Sequence, residues 1–195
     1  MKLSTLFAGT LLAAAAAMPA LAEQAIYTTV LSGPDEEPSN DSPGSGTATV
    51  TIDFDANTMR VQENFTGLLA GVSASHIHCC TNEPGGGVAG VSTTTPTFTD
   101  FPSGVTSGAY DHIFDMTHAS SYNSAFITAN GGTVGGAFTA LVDGLDSGHA
   151  YANIHSTMFP GGEIRGFLAP IPEPEAYAML LAGLALVSMV ARRRA

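Results

Sequence analysis

Basic residues are nearly absent from the middle of this 195-residue chain. Only Arg60 and Arg165 lie between residues 23 and 168, against fifteen aspartates and glutamates, so this stretch has a net charge of −13. Such a surface repels nucleic acid phosphates and anionic lipid headgroups. Nucleic-acid binding is therefore excluded, and the surface suits cations or a matrix of non-anionic glycans.

The chain also lacks the signatures of common enzyme classes. It has no Gly-x-Ser-x-Gly nucleophile elbow. The three glycines at residues 85–87 are followed by neither the lysine nor the helix of a phosphate-binding loop. The sequence thus contains no recognisable catalytic set, and we expect a non-enzymatic protein with a binding or structural role.

Cysteine occurs only twice, and Cys79 and Cys80 are adjacent. Consecutive Cα atoms lie about 3.8 Å apart across a trans peptide, below the usual separation of about 4.4 to 6.8 Å in a disulfide. Two alternatives stay open for this pair: a vicinal disulfide, or free or metal-ligating thiols.

No apolar run has the length of an ordinary transmembrane helix, but both ends of the chain resemble processing segments. Residues 1–22 contain Lys2, an apolar stretch and the small-x-small pattern of Ala20 and Ala22, which is typical of a signal peptide cut before Glu23. At the other end, residues 176–191 form an apolar run of about 16 residues, short for a full span. We expect this run to form a separate hydrophobic helix.

The C-terminal run lies between two further signals. Pro172, Glu173 and Pro174 precede it, and Arg192, Arg193 and Arg194 close the chain. This order resembles the PEP-CTERM sorting signal of Gram-negative bacteria. The resemblance implies recognition and removal of residues 169–195 by an exosortase-type processing enzyme, with transient anchoring in the inner membrane as a transmembrane segment. The mature protein would then be secreted to the cell envelope, the cell surface or the extracellular matrix, where exopolysaccharide is a candidate partner.

Residues 47–54 alternate strictly, with every even position apolar and every odd position polar. This period of two predicts a half-buried strand. Similar runs between turn residues predict strands at residues 25–31, 58–65, 75–80, 107–114, 149–156 and 162–168. The predicted core comprises Ala48, Val50, Ile52, Phe54, Met59, Val61, Ile77, Ile154, Ile164 and Leu168.

Two short helices are also expected. Asn123 is a suitable N-cap for residues 124–129, and Val134, Phe138 and Leu141 follow the helical spacing i, i+4, i+7 before Gly144. Together these elements predict a mainly β fold, a single antiparallel β-sandwich with one or two short helices over residues 23–168.

Three blocks of this region carry a family resemblance. They are Leu-Ser-Gly-Pro-Asp-Glu-Glu-Pro at residues 31–38, Ser-His-Ile-His at residues 75–78, and Asn-Ile-His at residues 153–155 with Phe-Pro-Gly-Gly-Glu-Ile-Arg-Gly at residues 159–166. The pattern resembles the CHRD domain, which is named for chordin and is common in bacterial exported proteins. The resemblance implies a β-sandwich and an extracellular location.

The densest group of potential ligands surrounds a His-x-His sequence. Side chains alternate along a strand, so His76, His78 and Cys80 share one face. Two imidazoles at this spacing can reach one copper or zinc ion, with His155 of a second strand as the third ligand and Cys80 as a further candidate. The alternative is that the three imidazoles are hydrogen-bonding groups that fix the strand ends.

Glu163 and Arg165 flank Ile164 on the final predicted strand. One hypothesis is that they present a carboxylate and a guanidinium to a ligand. The alternative is a structural ion pair, in which Arg165 bonds across the sheet to the early segment that holds Glu36 and Glu37.

Overall fold

The computed structural model describes residues 23–171, together with residues 183, 184 and 192 of the tail. The predicted signal peptide with Ala20 and Ala22, the motif Pro172, Glu173 and Pro174, and Arg193 and Arg194 lie outside the described residues, as does most of the apolar run at residues 176–191. Among the residues that are described, no helix is long and apolar enough to cross a membrane.

The domain is built on one curled antiparallel sheet, which confirms the mainly β prediction. The strands are β1 (Gln24–Ser32), β2 (Ser45–Asp53), β3 (Thr58–Thr66), β4 (Val72–His78), β5 (Gly108–Asp115), β6 (Tyr151–Ser156), β7 (Ile164–Phe167) and β8 (Ala169–Pro170). In the sheet they follow the order β4-β6-β7-β1-β2-β3-β5, and β8 pairs with β1.

Two α-helices follow β5 after a short 3-10 turn at Ala119–Ser121. Helix α1 spans Ser124–Ala129, and the side chain of its N-cap, Asn123, accepts a hydrogen bond from the Ala125 amide at 3.0 Å. Helix α2 spans Val134–Asp146 and therefore continues past Gly144, where the sequence pattern placed its end. Gly144 is buried, and its missing side chain leaves room for the sulfur atoms of Cys79 and Cys80.

The predicted core residues pack together between the two halves of the curled sheet. Nine of the ten are fully buried, and Phe54 is partly buried at the rim, where its ring packs edge-on against Phe138 of α2 at 6.4 Å. Burying each of the larger side chains contributes roughly 1.5 to 3 kcal/mol, which makes this cluster the main source of stability.

A loop segment connects the two edge strands. The Ser92 amide donates to Ile77 O at 2.9 Å and the Phe98 amide donates to Ser75 O at 3.1 Å, both on β4. On the other side, the Tyr110 hydroxyl of β5 donates to Thr99 O at 2.9 Å. Residues 91–101 therefore cover the β4 edge of the sheet, which would otherwise offer unpaired backbone groups, and they contact β5 through the Tyr110 side chain.

The two ends of the domain lie side by side at the beginning of β1. The Ile171 amide donates to Ile26 O at 2.7 Å, and Glu23 O accepts from the Phe54 amide at 3.0 Å. At the far end of β1, Ser32 pairs with Arg165. Ser32 lies six positions after Ile26 on this strand. At about 3.3 Å per residue, these two levels of the sheet are about 20 Å apart.

Candidate metal centre

Three histidines meet on the outer face of β4 and β6. In the register of this strand pair, His76 lies opposite Asn153 and His155 lies opposite Ala74. Because side chains alternate along each strand, His76 and His78 project to the same side as His155. The ring centroids are 5.3 Å apart for His76 and His155, 5.7 Å for His78 and His155, and 5.8 Å for His76 and His78.

Each imidazole is held by a backbone carbonyl, two of them from the connection between β4 and β5 and the third from the turn between β6 and β7. The partners are Pro96 O for His76 Nε2 at 2.7 Å, Ala89 O for His78 Nδ1 at 2.9 Å, and Pro160 O for His155 Nδ1 at 3.1 Å. A carbonyl only accepts, so the bonded nitrogen carries the proton in each neutral ring. The opposite nitrogen of each ring therefore holds a free lone pair.

Those opposite nitrogens have no protein partner. His76 Nδ1, His78 Nε2 and His155 Nε2 are buried without a hydrogen bond. One ring nitrogen of each residue lies within 4.8 Å of the other two. Buried polar atoms are almost always paired, and each unpaired one costs about 1 to 3 kcal/mol. Each of three neighbouring histidines therefore keeps one ring nitrogen available to a group that binds between them.

The spacing fits a small transition-metal ion. Nitrogen ligands lie about 2.0 to 2.1 Å from zinc, which places three of them roughly 3.3 to 3.6 Å from one another. From separations of at most 4.8 Å, each ring needs to move inward by less than about 1 Å. The carbonyl partners would remain as the outer hydrogen bonds that orient metal-binding imidazoles.

The electrostatic surroundings keep the three rings neutral. Burial lowers the pKa of His76 and of His78 to about 4, and nearby imidazoles add to the effect. Burial also lowers the pKa of His155. Neutral imidazole is the form that binds a metal, so these ligands need no deprotonation at neutral pH.

A layer of larger side chains supports His78. The Tyr151 ring stacks on the His78 ring with centroids 4.8 Å apart and an angle of 8° between the planes. Ala89 contacts both side chains: its carbonyl bonds to His78, and its amide donates to the Tyr151 hydroxyl at 3.2 Å. The guanidinium of Arg165 lies over the Tyr151 ring, 4.9 Å from its centroid. It also donates a hydrogen bond to Gly87 O at 3.0 Å.

Glu163 and Arg165 are not brought together as a ligand-binding pair. Arg165 instead lies 3.9 Å from Glu36 and 3.6 Å from Glu37, which is the structural alternative predicted for it. Glu163 is fully buried, and its Oε1 accepts from Ser42 Oγ and from the Leu69 amide, both at 2.6 Å.

The two cysteines form a vicinal disulfide directly after β4. The disulfide packs against the buried Gly144 of α2, where a Cβ atom would lie 2.7 Å from Cys80 Sγ. Because both sulfurs are bonded to each other, Cys80 has no thiolate to offer as a metal ligand. The ligand group within residues 23–171 thus consists of three imidazoles.

One buried acid was missed in the sequence. Glu63 of β3 is fully buried, and burial raises its pKa to about 8. Ser75 Oγ donates to its Oε2 at 2.9 Å. The signal was present, because Glu63 occupies the same alternating face as Met59, Val61 and Phe65.

Two family models match the chain. The CHRD domain model matches residues 27–168, and the PEP-CTERM protein-sorting motif model matches residues 170–194. The first match covers most of the sequence, so the chain belongs to the CHRD domain family, and it carries an exosortase-type sorting signal at its C-terminus. It is therefore an exported protein of the cell envelope. Neither family is an enzyme family, and no curated protein or solved structure matches the chain.

Proposed function

We propose that the mature CHRD domain is a non-enzymatic metal-binding protein of the cell envelope, which holds one copper or zinc ion through His76, His78 and His155. Two observations carry this proposal: each of the three buried imidazoles keeps one ring nitrogen without a protein partner, and one ring nitrogen of each residue lies within 4.8 Å of the other two. The three-nitrogen donor set suits both metals.

A purely structural role explains this arrangement less well. Each histidine uses only one of its two nitrogens to bind a loop carbonyl. A structural contact of that kind would leave the second nitrogen exposed to water or paired with another side chain, since an unpaired buried acceptor is destabilising. Here all three second nitrogens are buried without a protein partner, and the three rings lie with their centroids 5.3 to 5.8 Å apart.

The position of the site supports a role outside the cell during and after sorting. One row of paired residues crosses four strands at the C-terminal end of β1. It consists of His76, Asn153, Arg165 and Ser32. The residues next to the leader and the sorting motif lie at the near end, about 20 Å away. An anchored chain therefore presents the three histidines on the side away from its membrane attachment.

Metal analysis of the exported protein tests the proposal. The chain is purified from the envelope or medium of the exporting cells, and its bound copper and zinc are quantified per protein. We expect about one metal ion in the wild type and in His118→Ala, the matched control, because His118 is exposed and outside the cluster. The double variant His76→Ala/His78→Ala should lose the metal; unchanged metal content in this variant would place the site elsewhere.

Cell fractionation tests the location separately. We expect the processed domain, without its tail, in the envelope or medium. Full-length protein, tail included, recovered from the cytoplasm would contradict the export part of the proposal.

A further inference from the structure

We propose that the three-histidine site selects monovalent copper, Cu(I), over divalent ions, and that Arg165 is the positioning residue that sets this preference through the Tyr151 ring stacked on His78. The inference rests on the proposed metal site and adds the oxidation state of its ion and the residue that controls it.

The charge of the donor set favours a monovalent ion. The ligand group among the described residues contains three neutral imidazoles and neither a carboxylate nor a thiolate. A divalent ion bound there keeps its full double charge in a buried site. The cost of burying an ion rises with the square of its charge, so a dication is penalised about four times as much as a monocation.

The number of ligands points the same way. Zinc is almost always four-coordinate in proteins, so beside three histidines it needs either a fourth side chain or a bound water molecule. Cys80 is removed as that side chain by its disulfide. Cu(I) has a filled d shell and is satisfied by three nitrogen ligands.

Arg165 adds a fixed positive charge behind one ligand. Its guanidinium lies 4.9 Å from the Tyr151 centroid, and Tyr151 in turn lies 4.8 Å from the His78 ring with nearly parallel planes. A positive charge at this place raises the energy of a dication more than that of a monocation.

The carboxylates near Arg165 offset its charge only in part. The Arg165 nitrogens donate to the neutral carbonyls of Asp35 and Gly87, whereas the distances to Glu36 and Glu37 are 3.9 and 3.6 Å. The Glu37 side chain is 58% exposed, so water screens its charge. The guanidinium itself stays charged at every accessible pH.

The test compares affinities and the reduction potential of the exported, purified protein. Cu(I) affinity is measured by competition with bicinchoninate under ascorbate, which leaves disulfides intact, and Zn(II) affinity by competition with a chromophoric chelator. The Cu(II)/Cu(I) potential is obtained by redox titration. We expect wild-type protein to bind Cu(I) more tightly than Zn(II). Arg165→Gln should reduce the preference for Cu(I) over Cu(II) about tenfold, which lowers a one-electron potential by about 59 mV.

Two further variants separate charge from structure. Arg165→Lys keeps the positive charge and should restore the potential. Glu37→Gln removes an exposed negative charge beside Arg165 and should shift the potential in the opposite direction, upward, by a smaller amount. Because Glu37 is half-exposed, we expect this variant to fold, and its potential checks the sign of the effect. If Arg165→Gln does not fold, the wild-type affinities for Cu(I) and Zn(II) decide the selectivity.

Distinct results overturn the two proposals. Tighter binding of Zn(II) than Cu(I), an unchanged potential in folded Arg165→Gln, or a lowered potential in Glu37→Gln would overturn the selectivity proposal while the metal site stands. Absence of binding of either metal at His76, His78 and His155 would overturn the metal site itself, and with it the selectivity.

Discussion

His76 and His155 are 79 positions apart in the sequence, yet their rings lie 5.3 Å apart on neighbouring strands at an interplanar angle of 71°. This contact exists because β4 and β6 pair directly although β5 and both α-helices intervene in the chain. The two rings meet edge-on and are not stacked face to face. The candidate metal site is therefore a product of strand order.

His155→Ala removes one of three ligands and should therefore weaken metal binding strongly. Loss of an outer hydrogen-bond partner of a ligand lowers metal affinity by roughly 10- to 100-fold, and we expect a larger loss here. Titration with Cu(I) and Zn(II) gives the affinities. His149→Ala is the matched control, since His149 binds Thr81 O and lies outside the cluster. Equal affinity in the two variants would contradict the assignment of His155 as a ligand.

The metal-free protein should lose the stability contributed by its neutral histidines as the pH falls from about 6.5 to 4. The folded-state pKa of His76 and His78 is about 4, below the unfolded value of about 6.5. The unfolded chain therefore binds more protons in this window, and acid favours unfolding. Urea denaturation of wild type and of His76→Gln/His78→Gln at pH 7 and pH 5 isolates the effect, with a smaller acid-induced loss expected in the variant.

Glu63→Gln should stabilise the domain at pH 8 and leave it nearly unchanged at pH 4.5. Burial raises the folded-state pKa of Glu63 to about 8, so the folded chain keeps a proton that the unfolded chain releases at about 4.5. The wild type therefore loses stability as the pH rises through this window, by about 2 to 4 kcal/mol. Glutamine is neutral throughout and removes this loss.

Thermal denaturation at the two pH values measures the Glu63 effect, with exposed Glu83→Gln as the matched control. A Glu63→Gln variant that is equally destabilised at both pH values would show that the carboxyl group is ionised in the fold or serves only through its hydrogen bond to Ser75.

Gly144→Ala should destabilise the domain by about 1 to 3 kcal/mol, the usual cost of overpacking a filled site. The added methyl group would collide with the sulfur atoms of the Cys79–Cys80 disulfide. Gly135→Ala in the same helix meets no atom within 4 Å and should stabilise it by about 0.5 to 1 kcal/mol. Urea denaturation under oxidising conditions measures both. Equal effects at the two positions would mean that the disulfide does not pack against α2 as described.

Much of the fold could be predicted because strand alternation is a local property. The period of two in residues 47–54 places Ala48, Val50 and Ile52 in the interior, and all three are fully buried. The N-cap of α1 at Asn123 is equally local and was also correct. The sequence does not predict the two-residue strand β8, which follows the predicted strand at residues 162–168, because β8 depends on pairing with Tyr27 and Thr28 far away in the sequence.

The candidate site was predictable only in part. Local spacing places His76 and His78 on one face, and the matching pattern of β6 suggests His155. The three carbonyls that fix the imidazoles belong to Ala89, Pro96 and Pro160, whose loops show no periodic pattern in the sequence. The stack of Arg165 on Tyr151 likewise depends on the neighbouring position of β6 and β7, which only the sheet order defines.

X-ray absorption spectroscopy of the copper-loaded exported protein tests the central claim most directly, because it counts the atoms bound to the metal. With histidines 76, 78 and 155 as ligands, we expect about three nitrogen neighbours near 2.0 Å, with the outer-shell scattering of imidazole rings. Sulfur neighbours near 2.3 Å, a shell made up only of oxygen atoms, or a spectrum unchanged in His76→Ala/His78→Ala would contradict a metal centre built from these three histidines.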